Sequence, residues 1–166
     1  AEFLPKNKFN FPLKLISSEM PVGINYKAGV SAQLKSAVML AGLNSFGETK
    51  IIETLRSRNH TENMLLNNPH IISVQEKQKK IIKIFGKKYL NSINIEVPGD
   101  PSSSAFFSAL TLLKENSTLK IKDVGLNKTR TGFYQILKKQ GAKIKFKNLK
   151  NKSKELRGDI IVKSCK

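Results

Sequence analysis

The chain has 166 residues, 39% of them hydrophobic, and 30 Lys and Arg against 12 Asp and Glu, for a formal net charge of +18. This apolar content is enough to bury a core and excludes disorder throughout, and the single cysteine, Cys165, excludes an internal disulfide or a cysteine metal cluster. No apolar run approaches the roughly 18 residues of a membrane span, and Ala1–Lys6 has no basic region leading into an apolar one as a signal peptide would, so the expected setting is reducing and cytoplasmic.

A charge of +18 raises the possibility of a polyanion partner. The basic residues are 26 lysines and only four arginines, accompanied by abundant Asn and Ile, which reads as codon bias toward A and T. The densest runs, Lys77 to Lys88 and Lys138 to Lys154, alternate with apolar residues as solvated strand faces do. Trp is absent and aromatic residues are sparse among the lysines, so nucleic acid is not the favoured partner.

Phe11 to Ser17 alternates as a strand would, Met20 to Gly23 reads as a turn, and Ile24 to Lys27 is a second short strand. From Leu34 to Leu43 nearly every side chain is apolar or small, which predicts a helix covered on all sides. Its polar start lies at Gly29, Ser31 and Lys35. Ser31 suits an N-cap, and the unpaired N–H groups of a first turn suit an anion. Asn44 to Gly47 ends that helix. A strand over Lys50 to Thr54 follows, then a helix from His60 to Asn67, with Asn59 and Glu62 at capping-box spacing. Ile71 to Gln75 and Lys80 to Phe85 form a hairpin across a polar turn.

The same order then recurs. Ser92 to Val97 is read as a strand, Pro101 to Lys114 as a helix capped by Asp100, and Leu119 to Val124 as a strand. A helix capped by Asn127 or Thr129 runs to Lys139 and is closed by Gly141. Ala142 to Lys147 and Asp159 to Lys163 are strands, with a lysine-rich loop from Asn148 to Gly158 between them. A shift of 72 places Lys35-Ser36-Ala37 over Phe107-Ser108-Ala109. A shift of 70 places Thr61 over Thr131. A period near seventy suits a duplicated βαβαββ unit rather than a solenoid. The predicted class is therefore α/β (α+β), with about two such units.

Several stretches resemble one family. Ser31-Ala32-Gln33-Leu34-Lys35-Ser36-Ala37 through Leu43, Gly47-Glu48-Thr49, Ser57-Arg58-Asn59-His60-Thr61-Glu62, Gly99-Asp100-Pro101-Ser102-Ser103 and Leu126-Asn127-Lys128-Thr129-Arg130-Thr131-Gly132 occur in the order found in the EPSP synthases (3-phosphoshikimate 1-carboxyvinyltransferases). These enolpyruvyl transferases have two lobes of three βαβαββ units, with helix N-termini aimed at the cleft. The chain departs from the family at Asn59, where Asp is usual, and at Lys128, where Pro is usual.

The resemblance implies that residues 1–97 belong to the first lobe and 98–166 to the crossover and second lobe. It implies that Ser31, Ala32, Gln33 and Arg58 bind shikimate 3-phosphate, and that Gln33 also faces phosphoenolpyruvate. Lys35, one turn beyond Ser31, is a further candidate for the anion. His60, Asp100 and Arg130 are read as structural. The reaction implied is transfer of the enolpyruvyl group to the 5-hydroxyl of shikimate 3-phosphate, with no metal or organic cofactor and a monomeric complete enzyme. The sister enzyme acting on UDP-N-acetylglucosamine is the nearest alternative and a lysine-rich nucleic-acid module the second. The family's N-terminal Lys-Ser and Arg, its Asn-Gly-Thr loop and its C-terminal Asp, Lys and Arg have no counterpart in these residues. The expectation is accordingly an internal fragment with no catalytic residue in this segment, inactive by itself.

Overall fold

The computed structural model describes residues 2–3 and 9–165; residues 1, 4–8 and 166, which include most of the Ala1–Lys6 segment, lie outside the described residues. The elements in chain order are β1 (Glu2–Phe3), β2 (Leu13–Lys14), β3 (Asn25–Ala28), α1 (Ala32–Asn44), β4 (Glu48–Glu53), α2 (His60–Leu65), β5 (Ile72–Glu76), β6 (Lys80–Phe85), α3 (Pro101–Leu113), β7 (Thr118–Gly125), α4 (Gly132–Lys139), β8 (Ile144–Lys152) and β9 (Glu155–Lys163). They form two compact units, one of Ala1–Gly29, Gln33–Thr54 and His70–Tyr89, the other of Val30–Ala32, Leu55–Pro69 and Leu90–Lys166. Among the described residues no helix is long and apolar enough to cross a membrane.

In the first unit β1 pairs antiparallel with β2, and a separate sheet runs in the order β3-β4-β6-β5. Strand β3 is parallel to β4, with Tyr26 opposite Ile51; β4 is antiparallel to β6, with Ile51 opposite Ile82; and β5 is antiparallel to β6, with Val74 opposite Ile82. The parallel pair is joined through α1, and the antiparallel pair is the expected hairpin. Side chains alternate across a strand, and in β4 Thr49, Ile51 and Glu53 are the buried ones. Ala28, Met39, Ile71, Ile82 and Ile84 are also buried in this unit. Gly42 lets α1 come close to β4, since a Cβ there would lie 2.9 Å from the Thr49 Cβ.

The second unit has a three-stranded sheet in the order β7-β9-β8, antiparallel throughout. Its core is Val124, Leu126, Tyr134, Ile144, Ile160 and Val162, with Ala105, Leu112 and Phe146 packed against it. A parallel bridge joins Gly99 to Val124. With Gly99 in the place of β3, the order Gly99-β7-β9-β8 reproduces β3-β4-β6-β5 in both sequence of strands and direction. The repeated unit expected from the sequence is thus present, its second copy having a first strand reduced to one bridge. The helices at matching positions, α1 and α3, each have 13 residues.

Several expectations are corrected. Only Leu13–Lys14 of Phe11 to Ser17 is strand, because Phe11, Leu15 and Ile16 are left exposed, without a layer to cover them. Ser92 to Val97 is not a strand; it is mostly exposed, and the Glu96 carbonyl accepts from the Arg157 guanidinium rather than from a neighbouring strand. The lysine-rich stretch after Lys147 is not a loop: β8 and β9 continue through it and turn at Ser153 and Lys154, both with positive φ, 50° and 62°, the backbone a two-residue hairpin requires. Neither apolar helix is covered on all sides. Leu34 and Leu40 of α1 are exposed, as are Phe106, Phe107, Leu110 and Leu113 of α3.

Candidate functional site

Ser31 directly precedes α1 and Ala32 opens it; both are half-buried, while Gln33 and Leu34 are exposed. Gln33 is the first residue of its segment in the first unit, whereas Ser31 and Ala32 belong to the second. The first turn of a helix carries N–H groups with no intrahelical acceptor and the positive end of the helix dipole.

Lys35 follows on that turn and is fully buried. Its ammonium lies 2.8 Å from Glu53 Oε1, on the last residue of β4, with side-chain exposures of 0% and 1%. Lys80, at the start of β6, stands 3.6 Å from the other Glu53 oxygen and 4.0 Å from Glu76. Sequence reading found Lys35 but missed Glu53. Two signals were available: Lys35 shares the inward side of α1 with Met39 and Gly42, at spacings of four and seven, and Glu53 shares the inward face of β4 with Thr49 and Ile51.

In the second unit, Arg58 is exposed on the segment between β4 and α2. The capping box expected at Asn59 is absent, since its side chain makes no cap hydrogen bond. Instead the Asn59 Oδ1 accepts from Asn127 at 2.8 Å. The Glu155 carboxylate is a hub beside it, accepting from Asn63 at 2.9 Å and Asn127 at 3.1 Å and lying 2.8 Å from His60 Nδ1. His60 therefore joins the start of α2 to the β8–β9 hairpin.

Asp100 caps α3 as expected, accepting the Ser103 backbone N–H at 2.8 Å and its hydroxyl at 2.9 Å. Arg130 lies 2.6 Å from the other Asp100 oxygen and 2.7 Å from the Ser102 hydroxyl, so it ties the approach to α4 to the start of α3. The Ser103 N–H, followed by its hydroxyl and by Arg130, holds the Asp100 carboxyl below the ordinary range. Thr131 precedes α4 without a side-chain cap bond, and Asn127 instead accepts from the Thr129 N–H at 3.0 Å.

Two adjoining cavities of about 190 and 240 Å³ share His60, Val97, Pro98 and Gly125 in their walls. Arg157, 2% exposed, lines the smaller one and grips Asp123 through Nε, at 2.7 Å, and Nη2. That guanidinium, helped by Lys150, depresses the Asp123 carboxyl, and Lys152, 2.5 Å from Glu96, does the same for Glu96. Among the described residues no group of His, Cys, Asp and Glu is arranged to hold a metal ion.

The sequence model of the family described as EPSP synthase (3-phosphoshikimate 1-carboxyvinyltransferase) matches residues 4–163. Relatives described as 3-phosphoshikimate 1-carboxyvinyltransferase include one from Persephonella marina, 41% identical over 92% of this chain and 35% of its own length, and one from Bacillus subtilis, 43% identical over 99% of this chain and 36% of its own. The solved EPSP synthase of Acinetobacter baumannii superposes with a TM-score of 0.72 at 38% identity, covering 87% of this chain and 32% of that one. The chain thus spans about a third of the length of the relatives it matches.

Proposed function

We propose that this chain, which belongs to the EPSP synthase family, supplies shikimate 3-phosphate binding residues to an enzyme that transfers the enolpyruvyl group of phosphoenolpyruvate to the 5-hydroxyl of that substrate. The observation that carries this is the family match over residues 4–163, within which Ser31, Ala32 and Gln33 fall at the entrance of α1.

In this reading the substrate phosphate accepts hydrogen bonds from the Ser31 hydroxyl and the Ala32 N–H, where the helix dipole favours negative charge. Arg58 adds a planar fork of donors for the same phosphate. Gln33 faces both the ring of shikimate 3-phosphate and phosphoenolpyruvate. Lys35 lies on the same first turn, where its ammonium is paired with Glu53. Residues 1–97 belong to the first lobe and 98–166 to the crossover and part of the second lobe. The enzyme works in the cytoplasm and as a monomer, without a metal or organic cofactor, and residues outside this segment perform the proton transfers.

A hybrid in which these 166 residues replace the matching stretch of the Bacillus subtilis relative tests the proposal. Phosphate release that depends on both substrates is expected from the hybrid and none from the 166-residue chain alone. A folded hybrid that binds no shikimate 3-phosphate, measured by titration calorimetry, would refute it.

A further inference from the structure

A cation on the first turn of a helix opposes the helix dipole, and a fully buried ammonium carries a large desolvation cost. Lys35 has both disadvantages, in a position whose inward neighbours are Met39 and Gly42. Glu53 compensates them at 2.8 Å, and it too occupies an inward strand position, at the end of β4. Apolar residues at both positions would fill the same space without burying charge. The first turn of α1 is also the turn that carries Gln33, and the ion pair fixes that turn to β4, with Lys80 bracing the carboxylate from β6. We infer that Glu53 is a positioning residue for shikimate 3-phosphate: through Lys35 it sets the placement of the α1 first turn.

This rests on the function proposed above, and the two can fail separately. In the hybrid enzyme, Lys35→Met with Glu53→Leu removes both charges while keeping apolar bulk, and Glu53→Asp keeps the charge but draws the carboxylate back from Lys35. For the double variant, the KM for shikimate 3-phosphate is expected to rise about tenfold, with the KM for phosphoenolpyruvate within about twofold of the parent hybrid. Glu53→Asp is expected to show a smaller change in the same direction. A folded double variant with an unchanged KM for shikimate 3-phosphate would overturn the inference, as would equal changes for both substrates. Failure of both variants to fold would assign the pair to stability alone, and that too would overturn it. If the parent hybrid binds no shikimate 3-phosphate, the proposed function fails first and takes this inference with it.

Discussion

The Asp159 carboxylate accepts the backbone N–H of Asp123 at 3.1 Å. Asp123 has φ of 54° and sits where the β7–β9 register shifts. The other Asp159 oxygen accepts from the Asn148 amide at 2.8 Å, and Asn148, with φ of 51°, sits where the β8–β9 register shifts. One carboxylate on the central strand therefore pins an irregularity in each neighbour. Left-handed backbone is tolerated best by Gly, Asn and Asp, and a bulge leaves ladder groups that need other partners.

Those contacts give the second unit a defined acid response. The Asp123 N–H first, then Asn148 and Lys120, hold the Asp159 carboxyl at about 2 instead of 3.8. On acidification the unfolded chain takes up this proton before the folded one does. The stabilisation is complete above about pH 4 and is lost as pH falls toward about 2. Asp159→Asn is expected to lower the urea midpoint at pH 5, with the difference from the parent chain shrinking as pH drops. A constant difference across that range would show that the carboxylate charge is not the cause.

Charge removal inside the first unit has an asymmetric outcome. Glu53→Gln takes the Glu53 charge away from the buried Lys35 ammonium, and a destabilisation of about 3–5 kcal/mol is expected. Lys35→Met with Glu53→Leu removes the pair together and is expected to cost less than about 1 kcal/mol, or to stabilise. Urea unfolding of both variants checks this; equal losses would contradict the account.

Tyr134 gives a smaller and cleaner test. Its ring is fully buried in the core of the second unit, and its hydroxyl donates to the Ser104 hydroxyl at 2.6 Å and lies 3.3 Å from the Pro101 carbonyl. Ser104 in turn donates to Pro101, at 2.9 Å. Tyr134→Phe therefore leaves Pro101 an acceptor with a partner, and a loss of about 1 kcal/mol is expected. A loss several times larger would mean that the hydroxyl organises the start of α3 as a whole.

These cases also show what the sequence made legible. The helix α3 could be placed because Asp100 and Pro101 form a local start signal, and the cap they predict is made. The paired units could be read because helix and strand periods alternate in the same order twice. Ser153-Lys154 has none of the Asn-Gly chemistry that marks a tight hairpin, so the continuation of β8 and β9 through the lysines was hidden. Glu53 is a different case, because its strand register with Thr49 and Ile51 competes with its charge. A carboxylate at the end of a strand reads as solvent-facing until its buried partner on another element is known. Asn59 shows the limit of local motifs, because Asn127, distant in sequence, takes the oxygen that a capping box would have used.

Arg58 is the residue of the proposed site on which the functional reading is most exposed to test. Its side chain lies on a surface segment rather than in the core, so its replacement should leave the fold intact. A guanidinium reaches a phosphate with two parallel donors, which an ammonium cannot reproduce. In the hybrid enzyme, Arg58→Ala is expected to weaken shikimate 3-phosphate binding by about ten- to a hundredfold, the range for losing a charged hydrogen-bond partner. Arg58→Lys should recover only part of it. Ser31→Ala, which removes a neutral donor, should cost less, about two- to tenfold. Phosphoenolpyruvate binding should change little in all three. Calorimetric titration with each ligand separates the cases, and equal losses for the two ligands would contradict the division of roles among Ser31, Gln33 and Arg58.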